Sequence, residues 1–173
     1  MPHSSTDDSH RAERTALHTA MTVSTTAGRL PVPVPDRRWT VLFFITEPGI
    51  GEVIPELGGC TTGLCSVRDL AARFSAADAA VLGVSAHEPG ALAEFARERG
   101  LGYPLVGDGA LALGRALEVP EVQVGKRTLY RRTTVVLGHD GRIRARFHPI
   151  PEPETHAEAV LAQLAALDLA DRD

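Results

Sequence analysis

The 173-residue chain has few of the residues that mark specialised protein classes. It contains two cysteines and 5% aromatic residues, too few cysteines for a disulfide-stapled scaffold. Its longest apolar run, Val41 to Ile45, is far shorter than the roughly 20 residues that a membrane-spanning helix needs. The net charge of -4 argues against a general nucleic-acid binder, and the seven histidines show no spacing that completes a zinc site. We therefore expect one ordinary globular domain with no metal, no cofactor, and neither nucleic acid nor membrane as partner.

Residues 1–28 are rich in Ser, Thr, His and charged residues and lack the apolar segment of a secretory signal. We expect a flexible tail over residues 1–28 and one folded domain over residues 29–173, with Met21 as an alternative start. Two cysteines without a secretory signal indicate a reducing compartment, which predicts a cytoplasmic protein. In that setting a close cysteine pair is more often catalytic or metal-binding than structural.

Strand and helix patterns alternate along the rest of the chain. The apolar run over residues 39–45 predicts a buried central strand, and a long loop follows over residues 46–59. Beyond the loop we expect helices over residues 61–77, 89–100, 110–117 and 155–167, and strands over residues 79–85, 103–106, 126–137 and 143–147. Alternating strands and helices give parallel strands, and the last two strands add an antiparallel hairpin. The expected fold class is α/β with a thioredoxin-like outline: a central mixed β-sheet, helices on both faces, and a C-terminal β-hairpin plus helix.

The two cysteines, Cys60 and Cys65, lie where the long loop ends and the first predicted helix begins. At a helix N-terminus the free backbone N–H groups and the positive dipole end favour the thiolate. If residues 60–65 are helical, the two side chains point about 140° apart with a rise of ~7.5 Å. A disulfide needs Cα atoms within about 7 Å, so its formation would require this turn to unwind. Two unreactive core cysteines and a zinc site are the alternatives to a thiol-based redox site.

The residues around this pair resemble a known family. The run Gly59-Cys60-Thr61-x-x-x-Cys65-x-x-Arg68-Asp69 is similar to the peroxiredoxins (AhpC/TSA), and closest to their Q-type or bacterioferritin-comigratory branch, which has P-G-C-T-x-x-x-C-x-F-R-D. The resemblance extends over most of the chain from about residue 28. Further matches are Gly83-Val84-Ser85 to the G-V-S strand, Leu101 to Asp108 to the L-x-F-P-L-L-S-D segment, and Arg132, nine residues before Gly141, to the active-site arginine.

This resemblance implies an antioxidant oxidoreductase, a thiol peroxidase that reduces H₂O₂ or organic hydroperoxides. Cys60 would be the peroxidatic cysteine, oxidised to a sulfenic acid, and Cys65 the resolving cysteine that forms an intramolecular disulfide with it. Arg132 would stabilise the thiolate and polarise the peroxide. Arg131 is the alternative for this role. Neighbouring residues of a strand point to opposite faces, so only one of the two arginines can reach the site. The partners would be a hydroperoxide and thioredoxin or another thiol reductant, and the protein would be a monomer or a homodimer.

The segment before Cys60 departs from the family motif P-x-x-x-T-x-x-C, in which the threonine hydroxyl helps to hold the peroxide. Leu57 stands at the threonine position and Val53 at the proline position. An acidic or amide residue that is common three positions after the cysteine is replaced by Gly63. These departures leave two other functions open: a thiol–disulfide reaction on a specialised small molecule, or a redox-sensing module.

Four residues are the candidates for substrate binding. Gly59 and Thr61 flank the peroxidatic cysteine in the motif. Thr46 follows the central strand and could supply the missing hydroxyl, or Pro48 could shield the thiolate from water as the motif proline would. The sequence leaves the choice between Thr46 and Pro48 open.

Overall fold

The computed structural model describes residues 16–17, 19–47, 54–55 and 59–173. The strands are β1 (Met21–Thr25), β2 (Gly28–Val32), β3 (Trp39–Phe44), β4 (Ala79–Ser85), β5 (Leu105–Gly107), β6 (Glu121–Val124), β7 (Arg127–Tyr130), β8 (Thr133–Gly138) and β9 (Ile143–Phe147). Seven of them form one sheet with the order β2-β1-β5-β4-β3-β8-β9, while β6 and β7 form a separate antiparallel ribbon. Strands β3, β4 and β5 are parallel, and β8 runs antiparallel to both β3 and β9. The predicted mixed sheet with a C-terminal hairpin is confirmed.

Helices cover both faces of this sheet, as expected. They are α1 (Cys60–Asp69), α2 (Ala71–Ala76), α3 (Pro89–Glu98), α4 (Ala112–Ala116) and α5 (Pro153–Ala170). Strand β3 is buried along its whole length, and its alternating side chains separate two apolar cores. Leu42 and Phe44 pack with residues of α4 in one core, whereas Val41 and Phe43 pack with α1, α2 and α5 in the other. Among the described helices, none combines the length and the apolar character needed to cross a membrane.

The chain joins the sheet earlier than the predicted boundary at residue 28. Strand β1 pairs with β2 along its full length and contacts β5 through Thr25, and Val23 is buried in the core. A Thr25 hydroxyl that donates to the Gly28 carbonyl (2.6 Å) holds the turn between β1 and β2. The predicted tail over residues 1–28 is therefore too long. The polar residues of β1 concealed a strand in which alternate side chains face the core.

The predicted helix over residues 61–77 consists of two helices. They separate at Leu70, where φ of -104° and ψ of 12° depart from helical values. Helix α1 begins at Cys60, and its N-cap is Gly59 with a left-handed φ of 92° and no side-chain capping bond. The helix therefore begins one residue before the predicted start at residue 61. The glycine turn makes Cys60 the first helical residue.

The predicted single strand over residues 126–137 is divided between two sheets. It ends as β7 at Tyr130 and resumes as β8 at Thr133, so Arg131 and Arg132 lie in the connection. The Arg131 N–H donates to the Pro120 carbonyl (2.8 Å), and its own carbonyl accepts from the Thr133 hydroxyl (3.0 Å). The strand alternation expected for the two arginines therefore does not apply. The turn sets the direction of each side chain.

Candidate active site

Cys60 lies at the N-terminus of α1 and is 2% exposed. Its side chain packs with Ile45, which follows β3, and with Leu64 one turn later in α1. The first helical hydrogen bond runs from the Gly63 N–H to the Gly59 carbonyl (2.9 Å). The Cys60 thiol thus lies at the end of α1 where the first backbone N–H groups have no helical carbonyl to bind.

Arg132 lies next to the turn that begins α1. Its two terminal nitrogens are both 3.1 Å from the position that a Cβ would take at Gly59. Nη1 donates to the Ile150 carbonyl at 3.3 Å, and the buried Nε has no hydrogen-bond partner among the described residues. The guanidinium thus retains donor capacity directly beside the start of α1. Arg131, in contrast, is exposed.

Gly59 is required at this turn for two reasons. Its φ of 92° is a conformation that residues with a side chain rarely adopt. A Cβ there would also lie 2.6 Å from Cγ of Pro153, the first residue of α5, and against the Arg132 guanidinium. Glycine therefore allows the start of α1, the start of α5 and Arg132 to meet at one point.

Two cavities adjoin at this meeting point, and Arg132, Ile150 and Pro153 line both. The inner cavity, about 20 Å³, reaches Cys60 and is lined mostly by apolar side chains of β3, α1 and α5. Its volume is enough for one group the size of a water molecule. The outer groove, about 490 Å³, is lined also by Thr46, Pro55, Gly59, Arg131, His148, Pro149 and Pro151. The site therefore combines an open approach with a narrow end at the thiol.

His156 and Thr134 also line the inner cavity, and sequence reasoning did not identify either. His156 Nε2 lies 2.7 Å from the Thr134 hydroxyl, and its ring contacts Phe43 and Phe147 edge-on. Burial, and then the charge of Arg132, lowers the pKa of His156 to about 4, so the ring is neutral at pH 7. One available signal was its helical spacing: Val160, four residues later in α5, is apolar and lies on the same face of the helix.

The other candidate binding residues differ in whether they line one of the two cavities. Thr46 is 1% exposed and lines the outer groove together with Gly59 and Arg132. Thr61 is half-buried in the first turn of α1 and lies outside the lining of both cavities. Pro48 lies outside the described residues, as do Val53 and Leu57.

Cys65 is half-buried in the same helix as Cys60, and no disulfide joins the two cysteines. The expected helical separation of the two cysteines is therefore present. Nearby, the Arg68 guanidinium donates to the Arg99 carbonyl at the end of α3 (2.6 Å) and to the Asp69 carboxylate (3.0 Å). The Arg-Asp pair of the motif thus ties α1 to the neighbouring helix.

The residue after Thr46 anchors the beginning of the long loop. The Glu47 carboxylate accepts two hydrogen bonds from Arg127 in β7 (3.0 and 2.8 Å) and lies 3.6 Å from His87 Nε2. The hydrogen bonds from Arg127 lower the pKa of Glu47. His87 Nδ1 is hydrogen-bonded in turn to the buried Ser85 hydroxyl. Among the described residues, neither this group nor any other brings together three or more His, Cys, Asp or Glu side chains that could hold a metal ion.

Comparison with known proteins connects this geometry to one family. The AhpC/TSA family model matches residues 34–146. Peroxiredoxin Bcp of Xanthomonas campestris is 33% identical over 131 residues, which are 74% of this chain and 77% of that protein. Chloroplastic peroxiredoxin Q of Gentiana triflora is 33% identical over 106 residues, 61% of this chain and 48% of that protein. The chain thus spans about half of the plant relative.

The fold has solved counterparts as well. A structure of the bacterioferritin comigratory protein of Xanthomonas campestris, studied for its alkyl peroxide reduction activity, superposes with a TM-score of 0.71. It is 26% identical in sequence, and the match covers 87% of this chain and 98% of that one. The thioredoxin-like fold expected from the order of strands and helices is confirmed.

Proposed function

The chain belongs to the AhpC/TSA family of peroxiredoxins and is by class a thiol peroxidase; on this premise we propose that Cys60 is the peroxidatic cysteine and Cys65 the resolving one. One observation carries the assignment of Cys60: it is the helix-N-terminal thiol that shares a cavity with the Arg132 guanidinium. Cys65 is the second thiol of the chain and lies in the same helix.

The first step is attack of the Cys60 thiolate on the terminal oxygen of a hydroperoxide. An S–O bond forms, the O–O bond breaks, and the departing alkoxide or hydroxide takes up a proton, which leaves Cys60 as a sulfenic acid. Negative charge moves onto the leaving oxygen during this step. The Arg132 guanidinium, which retains unused donor capacity, and the first-turn N–H groups of α1 stabilise that charge.

The second step joins the two cysteines. The Cys65 thiolate attacks the sulfur of the Cys60 sulfenic acid, an S–S bond forms, and hydroxide leaves as water. Thioredoxin or another thiol reductant then restores both thiols. This cycle requires a reducing compartment, and we propose the cytoplasm.

We assign the peroxide-holding hydroxyl, which Leu57 cannot supply, to Thr46. This residue is buried and lines the groove together with Gly59 and Arg132. The substrate class is H₂O₂ or an organic hydroperoxide. The apolar lining of the inner cavity and the prolines of the outer groove support a substrate with an alkyl group. Alkyl peroxide reduction by the Xanthomonas protein is consistent with this choice.

The test is rapid-mixing oxidation by H₂O₂ and by tert-butyl hydroperoxide, with mass spectrometry of both cysteines. We expect the wild type to pass through a Cys60 sulfenic acid to a Cys60–Cys65 disulfide. Cys60→Ser should abolish peroxide consumption, and Cys65→Ser should stop at the sulfenic acid. Unchanged consumption by Cys60→Ser would refute the assignment. Slow oxidation of wild-type Cys60 by both peroxides would instead favour another thiol–disulfide reaction.

A further inference from the structure

Helix α1 has to open before the two cysteines can join. In the described structure both lie within one continuous helix, in which five residues correspond to a rise of ~7.5 Å and a rotation that directs the side chains apart. A disulfide requires Cα atoms within about 7 Å. The contacts that hold the turn between Cys60 and Cys65 therefore control how often the helix opens.

One side chain from outside the helix is hydrogen-bonded to this turn. The Tyr103 hydroxyl donates a hydrogen bond to the Leu64 carbonyl at 2.7 Å, one residue before Cys65. Leu64 is itself 1% exposed and packs beside Cys60, with the Tyr103 ring at the edge of the same cluster. Opening of the helix between the cysteines would break this hydrogen bond as well as the helical bonds.

The hydroxyl is held by a rigid part of the molecule. The residue after Tyr103, Pro104, accepts a hydrogen bond from the Gly83 N–H of β4 (3.1 Å), which attaches the segment to the central sheet. Burial raises the pKa of Tyr103 above its ordinary value, and the charge of Cys65 raises it further. The hydroxyl consequently stays protonated and remains a donor throughout the working pH range.

We propose that Tyr103 is a positioning residue that latches α1 in its helical state and so slows disulfide formation after Cys60 has been oxidised. The proposal rests on the proposed function. The L-x-F-P-L-L-S-D segment that this region resembles has Phe where this chain has Tyr103, so the hydroxyl is a feature of this chain. Its consequence is a longer-lived sulfenic acid, which a second peroxide molecule can oxidise to the sulfinic acid.

The variant that tests the latch is Tyr103→Phe, which keeps the ring and removes the hydroxyl. In rapid-quench mass spectrometry, sulfenic acid formation at Cys60 should keep its wild-type rate. Disulfide formation should become roughly two- to tenfold faster, the factor that one hydrogen bond typically carries. Sulfinic acid formed at high peroxide should fall accordingly. Equal rates of disulfide formation in the two proteins would overturn the proposal.

A matched control is Tyr130→Phe. It removes a hydroxyl that donates to Asp108 (2.5 Å) in the other apolar core, away from α1. This variant should be less stable than the wild type but should form the disulfide at the wild-type rate. If it accelerates disulfide formation as much as Tyr103→Phe does, general destabilisation and not the latch is the cause.

Hydrogen exchange separates the latch from the peroxidase assignment, because it needs no peroxide. In the reduced protein, Tyr103→Phe should speed exchange of the amides of residues 64–68 by roughly two- to tenfold, with amides of the central strands unchanged. Unchanged exchange at residues 64–68 would refute the latch. If Cys60 resists peroxide in the wild type while exchange responds as expected, the proposed function fails and the latch stands.

Discussion

Two buried polar clusters of this molecule differ in how fully their hydrogen bonds are made. The Asp108 carboxylate accepts a hydrogen bond from the Tyr130 hydroxyl (2.5 Å) and two from N–H groups at the start of α4 (3.2 and 3.0 Å). Among the described residues the Arg132 guanidinium makes one hydrogen bond, at 3.3 Å, and its buried Nε has no partner. Buried polar groups normally have hydrogen-bond partners. A cluster whose hydrogen bonds are all made therefore indicates a stabilising role, whereas a buried donor without a partner indicates a group that binds a ligand.

The largest effect that this comparison predicts is on the chemistry of Cys60. Arg132→Gln should lower the second-order rate of Cys60 oxidation by about 10²–10³-fold, the usual cost of removing a positioned donor at a site of developing charge. The melting temperature should change little, because Arg132 contributes few completed hydrogen bonds to the fold. Stopped-flow oxidation and thermal unfolding measure the two quantities.

Arg131→Gln is the matched control for this experiment. Arg131 is the adjacent residue with the same side chain, but it is exposed and lines only the outer groove of the two cavities. We expect its variant to oxidise within about twofold of the wild-type rate, since exposed charges contribute little. A larger loss for Arg131→Gln than for Arg132→Gln would reverse the assignment of the active-site arginine.

The second effect should appear in stability and leave the chemistry intact. Asp108→Ala removes the buried acceptor of the Tyr130 hydroxyl and of two N–H groups of α4, of which only that of Gly114 has a second acceptor, the Tyr130 hydroxyl (3.2 Å). Each orphaned buried donor costs about 1–3 kcal/mol, so the free energy of unfolding should fall by roughly 3 kcal/mol after relaxation. Denaturant titration measures this loss.

The same Asp108→Ala variant also tests whether the two clusters are independent. At a temperature where it remains folded, Cys60 should be oxidised at the wild-type rate, because Asp108 belongs to the other apolar core. A parallel loss of oxidation rate would show that the satisfied cluster supports the site, and the distinction between the two regions would fail.

Sequence reasoning recovered the parts of this molecule that local pattern determines. Strand β4 has the predicted bounds, and β3 falls within its predicted range, because continuous apolar runs indicate buried parallel strands. For the site, spacing and resemblance predict roles for Cys60, Cys65 and Arg132, and in the structure Cys60 and Arg132 line one cavity.

The parts that were missed depend on tertiary contacts or on single backbone conformations. The helix starts at Cys60 because Gly59 makes a left-handed turn. Glycine favours such turns, but propensity alone does not decide which of the adjacent glycines at 58 and 59 adopts one. The break between β7 and β8 arises because the two strands pair with different sheets. His156 joins the site through packing of α5 against the sheet, and its distance along the chain from Cys60 hid this relation.

His156 provides the smallest and most specific test of the comparison. Its pKa is lowered to about 4 from an ordinary 6.5, first by burial and then by Arg132. Between pH 6.5 and 4 the unfolded chain therefore binds a proton at this residue that the folded chain does not, so the free energy of unfolding falls as the pH falls through this window. Allowing for the partial exposure of the ring, we expect a loss of about 1–2 kcal/mol.

The difference between wild type and His156→Gln isolates this contribution, because the other six histidines are the same in both proteins. Denaturant titrations at pH 7 and pH 4.5 should show a shallower loss in the variant. Equal losses would mean that the histidine is protonated in the folded protein, and that the cavity beside Cys60 admits a second positive charge next to Arg132.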